Sequence, residues 1–367
     1  MLTNVGRVAT LAAVATMRDR RIVAAGTADS IIVLVRCRPD GTLDPTFSDD
    51  GIATITVDGG ASASDVLVKP FGSILVVGGS ADPLAFLLAR FRADGKLDRR
   101  FGDAGIVTTP IGDWARAAAV ARDADGRFVV AGTSSRGFTA ARYLPSGELD
   151  TSFDEDGVFT TPTIGDEGSI NALALQDDGK IVLAGTTDSV QETVLLRLRK
   201  NGGLDPSFGG TGFAERLEAV DWFVDVAVLP DGRMLALATG EVEEMARFRS
   251  DGSLDPTFGT EGERHIGHVL RVAAIDIQAD DRILVAGTGA GPTFALRRYK
   301  PIGRVDPSFG GGDGLVTTSF PVAGHPVGRD VALEPHGRIV VGGFISHFSS
   351  SPKPRLPDFA LARYLAA

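Results

Sequence analysis

The residues best suited to bind a ligand are two tryptophans, each preceded by an aspartate. Asp113–Trp114 and Asp221–Trp222 both lie between apolar segments, and they contain the only two tryptophans of the chain. An exposed tryptophan beside a carboxylate can stack on a sugar or a cation while the acid hydrogen-bonds its polar edge. Asp166 and Glu167 occupy the equivalent connection of the intervening segment. The structural alternative is that both rings pack between sheets and the aspartates cap turns.

Histidines in the last third of the chain form a second group of candidates. His265, His268 and His325 precede apolar segments, and His347 lies in the longest insertion, residues 346–359. A zinc site needs three or four converging ligands, so we expect loop histidines without a metal role. Together with nearby arginines, the predicted ligand-binding residues are Asp113, Trp114, Arg116, Asp166, Asp221, Trp222, His268, Arg271, His325 and Arg329.

An arginine precedes an aspartate by eight residues six times. The pairs are Arg36 and Asp44, Arg90 and Asp98, Arg142 and Asp150, Arg197 and Asp205, Arg247 and Asp255, and Arg298 and Asp306. The aspartate can accept backbone N–H groups of the turn that follows it, and its second oxygen can meet the arginine. Spacing this regular favours a scaffold role over paired acid–base catalysis.

Other sequences with potential chemistry are explained by turns. The Asp-Gly pairs of DEDG at 154 and GGDG at 311 lack the alternating oxygen ligands of a calcium loop. GGTG at 209 opens no helix after a nucleotide-fold strand, so it is not a dinucleotide fingerprint. The chain has no GxSxG or HExxH motif. We therefore predict no metal site and no cofactor, and no catalytic residue can be named.

These residues are embedded in an internal repeat. LDxxF occurs at 43, 97, 149, 204 and 254, with a VDPSF variant at 305, and its phenylalanines are 50 to 55 residues apart. An apolar run ending in small residues occurs seven times, as IVAAG, ILVVG, FVVAG, IVLAG, MLALA, ILVAG and IVVGG. Runs of this length, rich in Val and Ile and bounded by Gly and Asp, predict strands that are buried on both faces.

Each unit contains four short strands, which predicts a seven-bladed β-propeller with four-stranded antiparallel blades. The Ala-rich segment 115–126 aligns with strands in the other units, so we predict a strand there too. Residues 1–5 align with a fourth strand, and the last unit stops after its third. The N-terminal strand should therefore join the C-terminal blade and close the ring, making residues 1–367 one domain.

The LDxxFGxxG signature, followed by GKIVVAG-like and ARY-like strands, resembles the delta-sixty repeat family of bacterial β-propellers. The resemblance covers essentially the whole chain and implies a propeller. By analogy with NHL-type propellers, the first strand of each unit should be innermost and the strand after the FGxxG loop outermost.

Composition limits the partners. A formal charge of -10 without a basic run argues against nucleic acid. No run of 18 apolar residues could span a membrane. The apolar stretch near the N-terminus aligns with a repeated strand, so we predict no signal peptide and expect a soluble monomer, in the cytoplasm or as a mature extracytoplasmic domain. The single Cys37 excludes an internal disulfide and leaves the compartment open.

Function should be located on the loops that vary while the scaffold repeats. We predict a non-catalytic binding or interaction scaffold, with a pocket at the channel mouth for a small polar ligand, glycan or peptide. The alternative is an enzyme, such as a lyase, hydrolase or cyclase, using loop carboxylates, histidines and arginines from several blades. The two are distinguished by whether such groups converge on one pocket.

Overall fold

The computed structural model describes residues 1–5, 9–161, 168–187, 192–214, 217, 222–267, 270–322, 324–346 and 358–365. These residues form seven antiparallel sheets, as the repeat count predicts, and we call them blades 1 to 7 in the order of their first strands. The only helical element in this part of the chain is a 3-10 turn, Pro70–Gly72. The protein is a seven-bladed β-propeller.

The strands have nearly the same bounds in every blade. The first strands are Ala9–Thr16, Ala61–Val68, Ala115–Arg122, Gly168–Leu175, Trp222–Val228, Leu270–Ile277 and His325–Leu333. The second strands are Ile22–Ala28, Ile74–Ala81, Phe128–Ser134, Ile181–Thr187, Met234–Thr239, Ile283–Gly289 and Ile339–Ser346. The third strands are Ile31–Cys37, Leu84–Phe91, Gly137–Tyr143, Glu192–Leu198, Glu244–Phe248, Phe294–Tyr299 and Asp358–Tyr364. The fourth strands are Ile52–Ile55, Ile106–Thr109, Val158–Thr161, Glu263–His265, Leu315–Thr318 and, in blade 7, Leu2–Asn4.

Blades 4 and 7 differ from the others at the position of the fourth strand. In blade 4, the position of a fourth strand is occupied by Phe213, which bridges to Leu196. In blade 7, Leu2–Asn4 pairs antiparallel with Asp358–Tyr364, so that Leu2 lies opposite Ala360. This is the partner that the alignment of residues 1–5 predicts.

The first strands surround the central axis. Each one contacts the first strands of both neighbouring blades, around the whole ring. Because the strands are antiparallel, the connections alternate between two faces. The turns between first and second strands and the LDxxF connections share one face, which we call the repeat face. The turns between second and third strands and the connections between blades share the other, which we call the loop face.

Every first strand contains a β-bulge, and this bulge explains why each second strand has a small residue near its end. The register slips by one residue in all seven blades, for example between Ile170 and Ala172. The bulge brings the first strand so close that a Cβ on Gly185 would overlap the carbonyl oxygen of Ser169. Blade 5 has Ala238 at this position. The repeated small residue is therefore a packing requirement.

The arginine–aspartate pairs form the predicted scaffold unit. In blade 4, Arg197 Nε donates to Asp205 Oδ2 at 2.8 Å, and Asp205 Oδ1 accepts the N–H and O–H groups of Ser207. The guanidinium lies 4.6 Å from the ring centroid of Phe208 and donates to the carbonyl of Ser250 in blade 5. The other five pairs bond at 2.7 to 3.0 Å and stack on their phenylalanines at 4.5 to 4.8 Å.

The carboxylate of the Arg197–Asp205 pair is stabilised in the folded chain. Burial opposes ionisation of Asp205, but the hydrogen bonds from Ser207 and the charge of Arg197 outweigh it and lower the pKa of the carboxyl. Blade 7 has no LDxxF motif, and there Arg363 pairs with Glu334 at 2.6 Å instead. The arginine also donates to the carbonyl of Pro39 in blade 1.

A second set of hydrogen bonds links the inner parts of neighbouring blades. Each of the seven interfaces has a side chain that bonds the main chain of the next blade. The links, at 2.7 to 3.1 Å, run from Thr27 to Ala63, Asp65 to Val120, Thr133 to Ile170, Asn171 to Phe223, Asp225 to Ile275, Thr288 to Gly328 and Asp330 to Val14.

Candidate functional site

Trp114 lies at a groove on the loop face of blades 1 to 3. Its side chain is 41% exposed, and Leu84 on the same groove is 53% exposed. The groove has a volume of about 470 Å³, and Arg116 contributes a positive charge to its lining. Single exposed apolar residues are common on protein surfaces, but here two large apolar side chains line the same groove. This arrangement is typical of a binding site.

The Asp113–Trp114 pair is held by the neighbouring turn of blade 3. Ser135 Oγ accepts the N–H of Asp113 at 2.7 Å, and the N–H of Ser135 donates to the carbonyl of Trp114 at 2.9 Å. Gly112 has φ +68°, and a Cβ there would overlap Ser135 Oγ. These contacts fix the backbone of the pair and leave the indole at the surface.

The rest of the groove is lined by small residues. Gly59 and Gly60 come from the connection between blades 1 and 2, and Gly79 comes from the second strand of blade 2. A Cβ on Gly79 would be 3.3 Å from Arg116 Cγ, so the arginine stem packs directly on this backbone. The hydroxyl groups of Ser30 and Ser62 add polar atoms to the lining. The groove can thus combine apolar contact with hydrogen bonds and one cation.

Trp222 is exposed but is not the counterpart of Trp114. It lies in the first strand of blade 5, where it pairs with Thr239 and is 40% exposed. Trp222 directly precedes the last paired residue before the bulge of its strand, as Arg116 and Arg271 do in theirs. Trp114 lies two positions earlier than Arg116, one residue before its strand begins. The sequence interpretation of two comparable connections is therefore wrong by two residues, because the segment leading to blade 5 differs in length.

Two further predicted residues lie in the first strand of blade 7. His325 begins the strand opposite Ser346 and is exposed. The Arg329 guanidinium lies 5.6 Å from the ring centroid of Phe344. Burial and, after it, the charge of Arg271 lower the pKa of Arg329, so these two arginines are electrostatic neighbours. The remaining predicted residues, Asp166, Asp221 and His268, lie outside the described residues, as do Glu167 and His347.

Sequence reasoning missed three aspartates in the first strands. Asp65, Asp225 and Asp330 each follow the bulge of their strand. Burial raises the pKa of Asp65 to about 6, and burial together with the charges of Asp276 and Asp65 raises that of Asp225 to about 7. Burial likewise raises the pKa of Asp330 well above its ordinary value. The recurring Asp-Val pair in three first strands was the available signal.

Another carboxyl with an altered pKa lies at the edge of blade 5. Glu244 is buried, and its Oε1 lies 3.2 Å from Nδ1 of His265. Burial and then the charge of Glu263 raise the pKa of Glu244 to about 7. Across the residues that the structure describes, no three His, Cys, Asp or Glu side chains are arranged to hold a metal ion. Likewise, none of the described helices could cross a membrane.

Sequence comparison agrees with the propeller class and gives the family. The family described as "Domain of unknown function (DUF5122) beta-propeller" matches residues 18–47, 72–101, 124–153, 176–208, 229–258 and 278–309. These segments make up half of the chain, and the chain belongs to this family. No curated protein matches it in sequence.

Solved β-propellers share the fold at low sequence identity. The WD40 β-propeller domain of Doa1 is 14% identical with a TM-score of 0.55, over 98% of this chain and 95% of that one. A catalytically inactive virginiamycin B lyase from Staphylococcus aureus, solved with quinupristin, is 10% identical with a TM-score of 0.53, over 98% of both chains. YCF48 bound to D1 peptide is 13% identical with a TM-score of 0.53, over 100% of this chain and 95% of that one. These similarities show the fold alone.

Proposed function

We propose that this propeller is a non-catalytic interaction scaffold whose loop-face groove binds a short peptide segment. The observation that carries the proposal is the pair of exposed apolar side chains, Trp114 and Leu84, on one groove lined by glycine backbone. A peptide fits this surface better than a free sugar, because Leu84 offers no polar edge and the glycines allow close main-chain approach. Arg116 suits a carboxylate of the bound segment.

The similarity to other propellers supports the same class of function. A peptide is bound to YCF48, which has the same fold. We further infer that the LDxxFGxxG units are delta-sixty repeats of the bacterial type, within the family to which the chain belongs. The scaffold provides seven similar blades, and specificity then depends on the residues that differ between them.

Peptide selection tests the proposal. A displayed library of random peptides is selected on the wild-type protein alone, and the enriched peptides are then tested for binding to a Trp114→Ala, Arg116→Ala variant. We expect peptides with an apolar side chain near an acidic group. Loss of the Trp114 ring should weaken their binding about 2- to 30-fold, corresponding to about 0.5 to 2 kcal/mol for a stacked side chain.

Intrinsic fluorescence locates the bound peptide. The Trp222→Phe variant keeps Trp114 as the only tryptophan of the chain, so a peptide in the groove should change its emission. The matched variant Trp114→Phe should show no comparable change. Selected peptides that bind the double variant as well as the wild type would refute the assignment of the site.

A further inference from the structure

Blade 2 departs from the repeat on the repeat face. In five blades, an aspartate of the turn between the first two strands pairs with an Arg or Lys two residues later. These pairs are Asp19 and Arg21, Asp125 and Arg127, Asp178 and Lys180, Asp231 and Arg233, and Asp280 and Arg282. Blade 2 has Phe71 and Ser73 at these positions. Its turn therefore lacks this ion pair.

The LDxxF connection of the same blade is also altered. In the other copies, the residue two after the aspartate is Ser or Thr, and its hydroxyl bonds the carboxylate, as Ser207 bonds Asp205. Blade 2 has Arg99 and Arg100 between Asp98 and Phe101. Asp98 is consequently more exposed than Asp205, at 23% against 6% of the side chain. The departures in these two neighbouring segments are Phe71, Ser73, Arg99 and Arg100. In place of the stabilising contacts of the other blades, blade 2 has an aromatic ring and two cations.

The fold does not bury the ring of Phe71, so the lost ion pair is not replaced by apolar packing. Its side chain is fully exposed, and its backbone has φ +72°, a conformation unfavourable for a residue with a Cβ. An apolar ring in contact with solvent on a strained turn is the arrangement expected of an anchor for a partner.

Cations line the two grooves beside this ring, Arg18 and Lys69 in one and Lys96, Arg99 and Arg100 in the other. We define the basic patch as Phe71 with these five residues. None of these cations forms an ion pair with a described residue, and Lys69 Nζ instead lies 4.9 Å from the ring centroid of Phe128. The whole chain carries a formal charge of -10. A local excess of positive charge on an acidic protein attracts an acidic partner.

Two grooves give the patch its shape. One, of about 500 Å³, is lined by Met17, Arg18, Val68, Lys69 and Phe71. The other, of about 1120 Å³, is lined by residues that include Lys96, Arg99 and Arg100. They adjoin at the consecutive residues 92 and 93, along the interface of blades 1 and 2. Together they offer an extended track with apolar and cationic parts.

We propose that the basic patch docks an acidic polypeptide segment with an apolar side chain that packs against Phe71. The segment lies along the two grooves, where its carboxylates meet the unpaired arginines and lysines. Single-stranded nucleic acid is less favoured, because it is typically held by several aromatic side chains, whereas Phe71 is the only aromatic ring exposed on this patch in the described residues. This surface is on the opposite face from the Trp114 groove.

The test uses labelled poly(Glu,Tyr) copolymer as the probe, with poly-Glu and a single-stranded oligodeoxynucleotide as comparisons. Fluorescence anisotropy should show that the wild type binds poly(Glu,Tyr) more tightly than poly-Glu. Phe71→Ala should abolish this preference, and an Arg99→Glu, Arg100→Glu variant should weaken both at least about tenfold, with a strong salt dependence.

A variant in which blade 2 carries the repeat residues of its neighbours separates a loss of binding from a loss of stability. Phe71→Asp, Ser73→Arg, Arg99→Pro and Arg100→Ser give blade 2 the residues of its neighbours. We expect an equal or higher melting temperature and loss of copolymer binding. The whole test is carried out in a Trp114→Ala, Arg116→Ala background, which serves as the wild type here, so that the loop-face groove contributes no copolymer binding. In this background the control Arg249→Glu, Arg304→Glu, which changes two charges on the same face of blades 5 and 6, should bind like its parent. Equal binding by the restored variant and the wild type, or patch-dependent binding that favours the oligodeoxynucleotide, would overturn the proposal.

Discussion

Replacing Asp225 with asparagine tests whether the inner aspartates strain the ring when they ionise. The carboxylate accepts the N–H of Val226 in its own strand and the N–H of Ile275 in blade 6, both at 2.8 Å. Burial is the main cause that raises its pKa to about 7, and the charges of Asp276 and Asp65 add to it. Ionisation is therefore less favourable in the folded chain than in the unfolded chain, where the pKa is about 3.8.

The sign of the pH effect follows from this difference. The folded state binds the proton more tightly, so the free energy of unfolding falls as pH rises from about 4 towards 7. The interval between the two pKa values corresponds to about 4 kcal/mol. Because Asp225 remains partly exposed to solvent, screening reduces the effect, and we expect about 2 kcal/mol.

The asparagine variant cannot ionise, but its amide nitrogen cannot accept the N–H of Ile275. At about pH 4 it should be less stable than the wild type by about 1 to 3 kcal/mol, the cost of an unpaired buried donor. Towards pH 8 the wild type loses stability that the variant keeps, so the difference shrinks or changes sign.

Urea unfolding between about pH 4 and pH 8, followed by tryptophan fluorescence, measures this difference. Asp58→Asn is the control, because Asp58 is exposed on the loop face and its substitution should give a difference independent of pH. A constant difference between Asp225→Asn and the wild type would refute the reasoning. So would a difference that grows in favour of the wild type as pH rises.

Three further outcomes test the scaffold. Asp205→Ala should cost about 1 to 3 kcal/mol in urea unfolding because it leaves a buried arginine unpaired, and Asp98→Ala should cost less because that pair is more exposed. Removing residues 1–5 should lower the thermal midpoint or cause association visible by size-exclusion chromatography, because it uncovers the edge of blade 7; an unchanged monomer would contradict the pairing. Tyr143→Phe should cost about 1 kcal/mol, since the buried hydroxyl bonds Thr109 at 2.9 Å. Additive effects of Tyr143→Phe and Thr109→Val would argue against that bond.

Repetition explains how much of the fold was predictable. The pairing of Arg197 with Asp205 occurs in five other blades at the same spacing, so one physical explanation was tested six times within one sequence. The strand assignment of Ala115–Arg122 was confirmed for the same reason, since aligned copies contradicted its helical composition. The helix propensity of the alanines in this segment is outweighed by packing against the sheets on either side.

Features that occur once or in a few blades were not predictable in this way. Trp222 lies two positions nearer to the bulge of its strand than Trp114 does, although both follow an aspartate. Asp225 is one polar residue in an apolar strand, and its partner lies 50 residues away in sequence. Phe71 could not be recognised as exposed until the turn that carries it was known.

The links between blades have a consequence for how such a chain can change its length. Asp65, Thr133, Asn171 and Arg197 all bond the main chain of the next blade rather than a particular side chain. Every blade has a backbone with these groups in the same place, so a duplicated blade would satisfy its new neighbours without matching substitutions. Trp114 and Phe71 take no part in these links, so substitutions at either position leave these contacts between the blades unchanged.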